Sequence, residues 1–151
     1  MPETRYAEAP LRPVGAVDEV QVVGALAEIV VERLQLCTTA RSVWLHPNTA
    51  HHIATQRGMD QGEADFIFSH LPNTILRPHF CGCDPRAPRR YDLIHVPAGS
   101  GRAVFAAIKV VAAAEAASRT DEIWVSTAHP LPRSFLSRKR YRESLHRLDG
   151  A

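Results

Sequence analysis

The sequence contains a small set of polar side chains on elements that can converge to form a catalytic site. His51 and His52 are adjacent in a helix-forming segment, and Lys109 interrupts an apolar, strand-forming segment. Thr127 and His129 lie two positions apart near the end of the last strand-forming segment. An imidazole can act as acid or base near neutral pH, and ammonium and hydroxyl groups can donate hydrogen bonds. We therefore treat these residues as candidates for a catalytic centre.

Each of these candidates also has a purely structural interpretation, and the residue types leave both open. Consecutive helical residues point about 100° apart, so one histidine of the His51-His52 pair can pack while the other is solvated. Lys109 can face solvent from a half-exposed strand. Thr127 can serve only as a strand former, and His129 can be a structural histidine whose hydrogen bonds are satisfied within the fold.

Side-chain alternation predicts which residues of the last strand share a face. Strict alternation places on one face Val125, Thr127 and His129, and on the other Trp124, Ser126 and Ala128. Thr127 is then the better partner for a cleft that also contains His129, while Ser126 remains a candidate for substrate binding.

A second cluster of polar residues has the types that bind metals. His79, Cys81 and Cys83 occur at alternate positions, and His70 or His95 could supply a fourth ligand. Structural zinc sites usually carry cysteine pairs separated by two to four residues, which a Cys-x-Cys spacing does not provide. Reduced cysteines packed in a loop are the alternative interpretation, and we expect no metal or other cofactor.

Several common enzyme signatures are missing from the sequence. It has no Gly-x-Ser-x-Gly nucleophile elbow, no phosphate-binding glycine-rich loop and no His-Glu-x-x-His zinc helix. The usual hydrolase, kinase and dinucleotide-binding interpretations therefore lack support.

The elements that position these candidates change type along the chain. We expect a flexible segment over residues 1–16 and a single domain over residues 17–151. Periodicity predicts helices at 18–35, 47–57, 62–71 and 134–148, strands at 42–45, 90–96, 102–111 and 121–127, and an irregular loop at 76–89. The predicted fold class is α+β, with N-terminal helices packed on a small antiparallel sheet and a basic C-terminal helix.

Composition and charge place broad limits on the class of protein. The 151 residues suffice for one domain, and the net charge is only +2. The segment from Arg133 onward contains six basic and two acidic residues, so the positive charge is concentrated in the tail. Three cysteines and no apolar export signal predict a cytoplasmic location, and no apolar run is long enough to form a membrane helix.

Six short segments together resemble a known group of proteins. They are Val43-Trp44-Leu45, Thr49-Ala50-His51-His52-Ile53 with Arg57, Leu-Pro-Asn-Thr-Ile-Leu-Arg-Pro, Arg90-Tyr91-Asp92-Leu93-Ile94, Ala107-Ile108-Lys109-Val110 and Trp124-Val125-Ser126-Thr127-Ala128-His129. In order and spacing, over roughly residues 42–141, the chain resembles the phage-associated nuclease-like domains grouped with barnase, EndoU, colicin D and RelE.

This resemblance implies a metal-independent endoribonuclease of the toxin or effector type. Such enzymes cleave RNA by attack of the 2′-hydroxyl on the adjacent phosphorus. The implied partners are RNA, with transfer RNA as one candidate, and an antitoxin or immunity protein. The implied catalytic residues are His52, Lys109, Thr127 and His129, and the implied substrate-binding residues are His51, Arg57, Arg90, Ser126 and Arg133.

The chain departs from this group at one position. Several relatives place a histidine after the basic residue of the helix, whereas here the sequence is Gln56-Arg57-Gly58. Arg57 could instead clamp a phosphate with its two-pronged guanidinium. With the modest net charge, this departure supports an alternative, a non-enzymatic protein-interaction module built on the same fold. A third class, a zinc-dependent enzyme, rests only on the His-Phe-Cys-Gly-Cys segment.

Overall fold

The computed structural model describes residues 19–84 and 86–148, so the segment 1–16 that we expect to be flexible lies outside the described residues. The strands are β1 (Gln21–Ala25), β2 (Ser42–Leu45), β3 (Phe80–Cys83), β4 (Arg90–His95), β5 (Arg102–Val111), β6 (Glu122–Pro132) and β7 (Leu145–Arg147). The helices are α1 (Glu28–Arg33), α2 (Pro47–Thr55), α3 (Gln61–Leu76), α4 (Ala113–Ala116) and α5 (Lys139–Ser144), with a 3-10 helix at Arg133–Ser137.

The strands form one seven-stranded mixed sheet in the order β1-β2-β6-β5-β4-β3-β7. The α+β class is confirmed, but the predicted small antiparallel sheet, with its helices confined to the N-terminal part and the C-terminus, is wrong. β2 and β6 run parallel, with Val43 opposite Ile123 and Trp44 opposite Trp124. A parallel pair needs a long crossover, and here α2, α3 and the strands β3 to β5 all lie between its two members. Helices therefore alternate with strands along the chain.

The helix predicted at 18–35 is wrong in its first half, where the chain forms β1. Val22 and Val23 are β-branched and fit a strand as well as a helix. The deciding interaction is pairing with β2, which places Gln21 opposite Leu45 and Ala25 opposite Ser42. The short helix α1 follows and buries Val30 and Val31. A pairing between segments 20 residues apart leaves no trace in local periodicity.

The helix α3 continues beyond the end that the sequence predicts. Pro72 lies inside it, although a proline removes one backbone hydrogen bond and usually breaks a helix. The last turn is held by burial of Leu71, Thr74 and Ile75, and the Thr74 hydroxyl donates to the His70 carbonyl at 2.8 Å. Tertiary packing thus outweighs the local penalty of the proline.

Two predictions near the sheet's far edge are also wrong, for one shared reason. The predicted loop at 76–89 contains β3, and the predicted C-terminal helix divides into the 3-10 helix, α5 and β7. β3 pairs with β4 and, on its other side, with β7. These two short segments form strands because they pair with each other across about sixty residues of chain.

The strand β6 extends past its predicted end at residue 127 and includes Pro130 and Pro132. The residues paired with β2 are Ile123 and Trp124, so within the described part of the chain no strand pairs with the later part of β6 on that side. α2 packs against β6, and the Gln56 side chain donates to the Ala128 carbonyl at 2.7 Å. Prolines are tolerated at such an edge because no neighbouring strand needs their missing N–H.

The sheet separates two hydrophobic clusters. The helix face, which packs against α1, α2 and α3, buries residues that include Val43, Leu45, Ile53, Ile67, Leu71, Leu93, Ile108 and Ile123. The C-terminal face is partly covered by the 3-10 helix and α5, and its cluster comprises Phe80, Ile94, Ala103, Phe105, Ala107, Leu131, Phe135 and Tyr141. Within the described residues, no helix has both the length and the apolar character that a membrane crossing requires.

Gly82 permits the close approach of the chain end to β3. A Cβ built on Gly82 would lie 2.5 Å from the Ser144 carbonyl oxygen, which belongs to the backbone and cannot swing away. We expect Gly82→Ala to lower the free energy of unfolding by about 1–3 kcal/mol, the usual cost of overpacking. Urea denaturation of the wild-type and variant proteins measures this free energy of unfolding.

Gly62→Ala is the matched control for this prediction. Its Cβ would lie at the ordinary contact distance of 3.4 Å from Asp60 Oδ1, and alanine favours the helical conformation that Gly62 already has. The control should be neutral or slightly stabilising. Equal stability of the two variants would contradict the close backbone approach between Gly82 and Ser144.

Candidate active site

A β-bulge at Ser126 decides which side chains of β6 share a face. In the pairing with β5, Ala107 lies opposite Thr127 while Ile108 lies opposite Val125, so Ser126 is the extra residue. Val125 therefore packs in the core of the helix face. Thr127 points to the C-terminal face. The strict alternation that grouped Val125 with Thr127 is wrong, because a bulge inverts the side-chain order at that point.

The bulge aligns polar groups from three strands in two rows on the C-terminal face. One row contains Arg90, Lys109 and Trp124, which lie side by side on β4, β5 and β6. The next row contains Asp92, Ala107 and Thr127. Directly opposite residues have Cβ atoms about 4.5–5.5 Å apart, so the side chains within a row are close enough to contact the same bound group.

Lys109 opens into a cleft of about 430 Å³, which we call the Lys109 cleft. Its remaining walls come from the start of α2, the start of β6 and α4. The lining residues are His46, Thr49, Lys109, Val111, Glu115, Ala116, Glu122, Trp124 and Val125. The volume falls in the range of small-ligand pockets, and the polar lining contains one imidazole, one ammonium, one hydroxyl and two carboxylates.

Glu122 is a buried carboxylate within the Lys109 cleft. Glu122 is 2% exposed, and its Oε1 accepts a hydrogen bond from the Trp124 indole Nε1 at 3.0 Å. Both residues lie on the same face of β6, two positions apart. This bond fixes the orientation of Glu122, in contrast to the other carboxylate of the cleft, the exposed Glu115, which pairs with Arg89 at 2.6 Å.

His46 enters the cleft as the N-cap residue of α2. Its Nδ1 accepts a hydrogen bond from the Asn48 backbone N–H at 3.1 Å, and Pro47 occupies the first helical position. The neutral ring therefore carries its proton on Nε2, the nitrogen that the cap leaves free. The His46 ring lies 6.2 Å from the Trp124 ring, centroid to centroid.

Arg90 places a second cation beside Lys109. It lies directly opposite Lys109 in the pairing of β4 with β5. Its Nε is buried and has no hydrogen-bond partner within the described residues. A buried donor without a partner is uncommon in folded proteins and suits a site that receives an acceptor from outside the chain.

The predicted site residues on β6 differ in their surroundings. Thr127 is half-buried and one row from Lys109, and Ser126 is half-buried at the bulge. His129 stacks on Phe105 with ring centroids 4.6 Å apart, and its Nδ1 lies 3.2 Å from the Pro130 carbonyl oxygen. This packing is what a structural histidine would show, which was the alternative left open for His129.

The predicted residues around α2 lie outside the lining of the Lys109 cleft. His51, His52 and Arg57 are exposed, while Ala50 and Ile53 face the core. Thr49 lines the cleft, and residues three apart lie on the same side of a helix, so His52 follows Thr49 one turn further along. The structure thus brings Lys109, Arg90 and Thr127 together and places His52 beyond the cleft's lining.

Two residues of the Lys109 cleft, His46 and Glu122, were missed in the sequence. Signals for both exist. A histidine just before proline at a helix start is an N-cap position, whose side chain points back toward the preceding strand end. Glu122 alternates with Trp124 in an apolar strand, and burying a charged residue there is costly unless it has partners.

Arg133, the last of the predicted binding residues, lines a second cleft of about 360 Å³. It also contains His79 and Arg147 and is bordered by the β4–β5 turn and the 3-10 helix. We call it the Arg133 cleft. Because Arg133 belongs to this cleft, it is not part of the same site as Lys109.

The His79, Cys81 and Cys83 side chains have different surroundings. The thiol of Cys81 is buried, which raises its pKa to about 11, whereas Cys83 is exposed. The His79 Nδ1 accepts from the Val96 backbone N–H at 2.9 Å. Among the described residues, no three His, Cys, Asp or Glu side chains are grouped to hold a metal ion.

No protein-family model matches this chain, and neither does any curated protein or solved structure. The resemblance to the phage-associated nuclease-like domains therefore stays a prediction. What the site can do has to be argued from its own geometry.

Three imidazoles meet between α3, β4 and the start of β3. The ring of His95 lies 4.9 Å from that of His79 and 6.4 Å from that of His70, centroid to centroid. Burial, and secondarily the charge of His95, lower the pKa of His70 below 6.5. The pKa of His79 is lowered by burial, by His95 and by Arg147.

These lowered pKa values predict that the protein loses stability in mild acid. As the pH falls through about 6.5, the unfolded chain binds protons at His70 and His79 before the folded protein does. Stability should therefore be complete above pH 6.5 and decline below it, levelling off once the pH is under the folded pKa values. Urea denaturation at pH 5 to 8 measures this slope.

His70→Gln should make the slope shallower because it removes one of these titrating groups. The matched control is His51→Gln, a change of the same type at an exposed position of α2, which should keep the wild-type slope. A slope that is unchanged by His70→Gln would contradict the assignment.

Proposed function

We propose that the protein is a metal-independent endoribonuclease in which the Lys109 cleft and the adjoining row of polar residues form the active site. The observation that carries the proposal is the meeting of Glu122, His46 and Lys109 in one cleft. The cleft thereby combines a carboxylate, an imidazole and an ammonium. These are the groups needed for proton removal, proton delivery and charge stabilisation at a phosphodiester.

In the proposed reaction the Glu122 carboxylate accepts the proton of the ribose 2′-hydroxyl. The freed oxygen attacks the adjacent phosphorus, the bond to the 5′-oxygen breaks, and a 2′,3′-cyclic phosphate remains. The hydrogen bond that Glu122 Oε1 accepts from the Trp124 indole holds the carboxylate in a fixed orientation for this role.

His46 is the proposed donor to the leaving 5′-oxygen. Its Nδ1 is used by the cap of α2, so Nε2 is the nitrogen that can serve the substrate. In the protonated ring both nitrogens carry hydrogen, so Nδ1 no longer accepts from the Asn48 N–H. Nε2–H gives its proton to the leaving oxygen, and the neutral ring keeps its other proton on Nδ1. The cap bond returns once exchange with solvent moves that proton to Nε2.

Lys109 and Arg90 are the proposed phosphate ligands. Their cross-strand pairing brings two positive charges together, and two adjacent cations repel each other unless an anion lies between them. The buried Nε of Arg90 lacks a partner that a phosphate oxygen would supply. Thr127, one row away, adds a hydroxyl donor.

The proposal is tested by incubating the purified protein with a short fluorescent RNA in the presence of a chelator. We expect a product that ends in a 2′,3′-cyclic phosphate, and no cleavage of the all-2′-deoxy strand, which lacks the attacking hydroxyl. RNA left intact across a wide range of protein concentrations would reject the proposal.

Three variants test the cleft with little change in packing. Lys109→Gln and Glu122→Gln remove charge, and His46→Asn removes the imidazole while keeping a residue that caps helices well. Each should lower kcat/KM about a hundredfold or more, the usual effect of losing one such group. His146→Ala, an exposed change on β7, is the control and should behave as wild type.

His52→Asn decides between the imidazole of the cleft and the one implied by the family resemblance. We expect His46→Asn to be the more damaging change, since His46 lines the cleft. If His52→Asn abolishes cleavage and His46→Asn does not, the role passes to His52 and our assignment of His46 is wrong.

A further inference from the structure

The Arg133 cleft lies at the end of the C-terminal face remote from Lys109, beside the 3-10 helix. Its walls come from four separate parts of the chain: the start of β3, the β4–β5 turn, the 3-10 helix and β7. The Lys109 cleft instead involves α2, α4 and the other ends of β5 and β6. The two clefts share no lining residue, so they are separate sites.

The polar side chains of the Arg133 cleft are all hydrogen-bond donors. Arg133 and Arg147 carry guanidinium groups, which donate and never accept. The Nδ1 of His79 accepts from the Val96 N–H, so the neutral ring has its proton on Nε2 and can only donate from there. A cleft with three donor side chains and no acidic lining residue is complementary to an anion.

Neither arginine has an ion-pair partner within the described residues. The guanidinium of Arg147 lies 5.9 Å from the centre of the Phe80 ring, and Arg133 is exposed. By contrast, Arg41, Arg89 and Arg102 each pair with a glutamate. Two unpaired cations that border one cleft repel each other until an anion binds between them.

The rest of the lining is apolar and includes aromatic rings. Phe80 and Phe135 meet edge to face with centroids 5.5 Å apart, and Val96 and Leu136 lie beside them. Leu136 is 38% exposed, which leaves apolar surface at the mouth of the cleft. A ligand that fits must therefore join an anionic group to a flat or apolar body.

We propose that the Arg133 cleft binds a nucleotide, with Arg133 and Arg147 holding its phosphate and the apolar wall contacting its base. An arginine guanidinium can form two parallel hydrogen bonds to phosphate oxygens, and the cleft's volume of about 360 Å³ lies within the range of small-ligand sites. The proposal goes beyond cleavage at the Lys109 cleft and does not require it. The bound group is either a free nucleotide or one nucleotide of an RNA strand.

Binding is tested by calorimetric titration with three probes: inorganic phosphate, adenosine 5′-monophosphate and a 2′-O-methyl RNA hexamer. The hexamer has no free 2′-hydroxyl, so failure of the proposed cleavage cannot affect the result. We expect adenosine monophosphate to bind more tightly than phosphate because of its base. A further gain with the hexamer assigns the cleft to an RNA strand, and no gain assigns it to a free nucleotide.

Arg133→Ala and Arg147→Gln should each weaken binding of the tighter nucleotide probe about tenfold, the usual loss for one charged hydrogen-bonding partner. Arg133→Lys should retain only part of the wild-type affinity, because the lysine ammonium cannot form two parallel hydrogen bonds to a phosphate. Arg86→Ala is the control, since Arg86 is on the β3–β4 loop with its side chain 81% exposed. Thermal melting checks that each variant is folded.

Two results would overturn the proposal. One is binding of phosphate and adenosine monophosphate with equal affinity, since the apolar wall would then play no part. The other is nucleotide binding that is absent, or unchanged in folded Arg133→Ala and Arg147→Gln proteins.

Discussion

The pairing of β5 with β6 constrains everything else on the C-terminal face. These are the two longest strands of the described chain, and the extra residue at Ser126 shifts their register once. Without the bulge, either Thr127 or Val125 would have to leave its present face. With it, Val125 stays in the core of the helix face while Trp124 and Thr127 both face the opposite side. Bulges are frequent beside active sites because they redirect side chains in this way.

The C-terminal segment divides that face into two clefts. Phe135 and Tyr141 pack on the apolar middle of the sheet, and β7 then pairs with β3. Gly82 allows this return because its missing side chain leaves room for the Ser144 carbonyl. The ends of the face stay open on either side of this cover, which is where the two clefts lie.

The parts of the fold that the sequence predicts well are those whose signal is local. β5 has its predicted bounds, and β2 and α2 agree closely, because β-branched runs and a proline-started helix are encoded within each segment. β1, β3 and β7 were missed because each forms through pairing with a distant strand. In the site, Lys109 was identified because a cation in an apolar strand is costly. His46 and Glu122 were missed because their significance depends on the β2–β6 pairing.

The charge pattern of the Lys109 cleft limits how an RNA strand can lie in the proposed site. The net charge of +2 is too small to attract RNA from a distance, so binding has to come from local contacts. A phosphate would be attracted by Lys109 and Arg90 and repelled by the Glu122 carboxylate. It must therefore lie toward β4 and β5, which turns the adjoining ribose toward β6. In that orientation the 2′-hydroxyl would approach Glu122 and the leaving oxygen would approach α2, so the charges that we propose to bind the phosphate would also set the direction of attack.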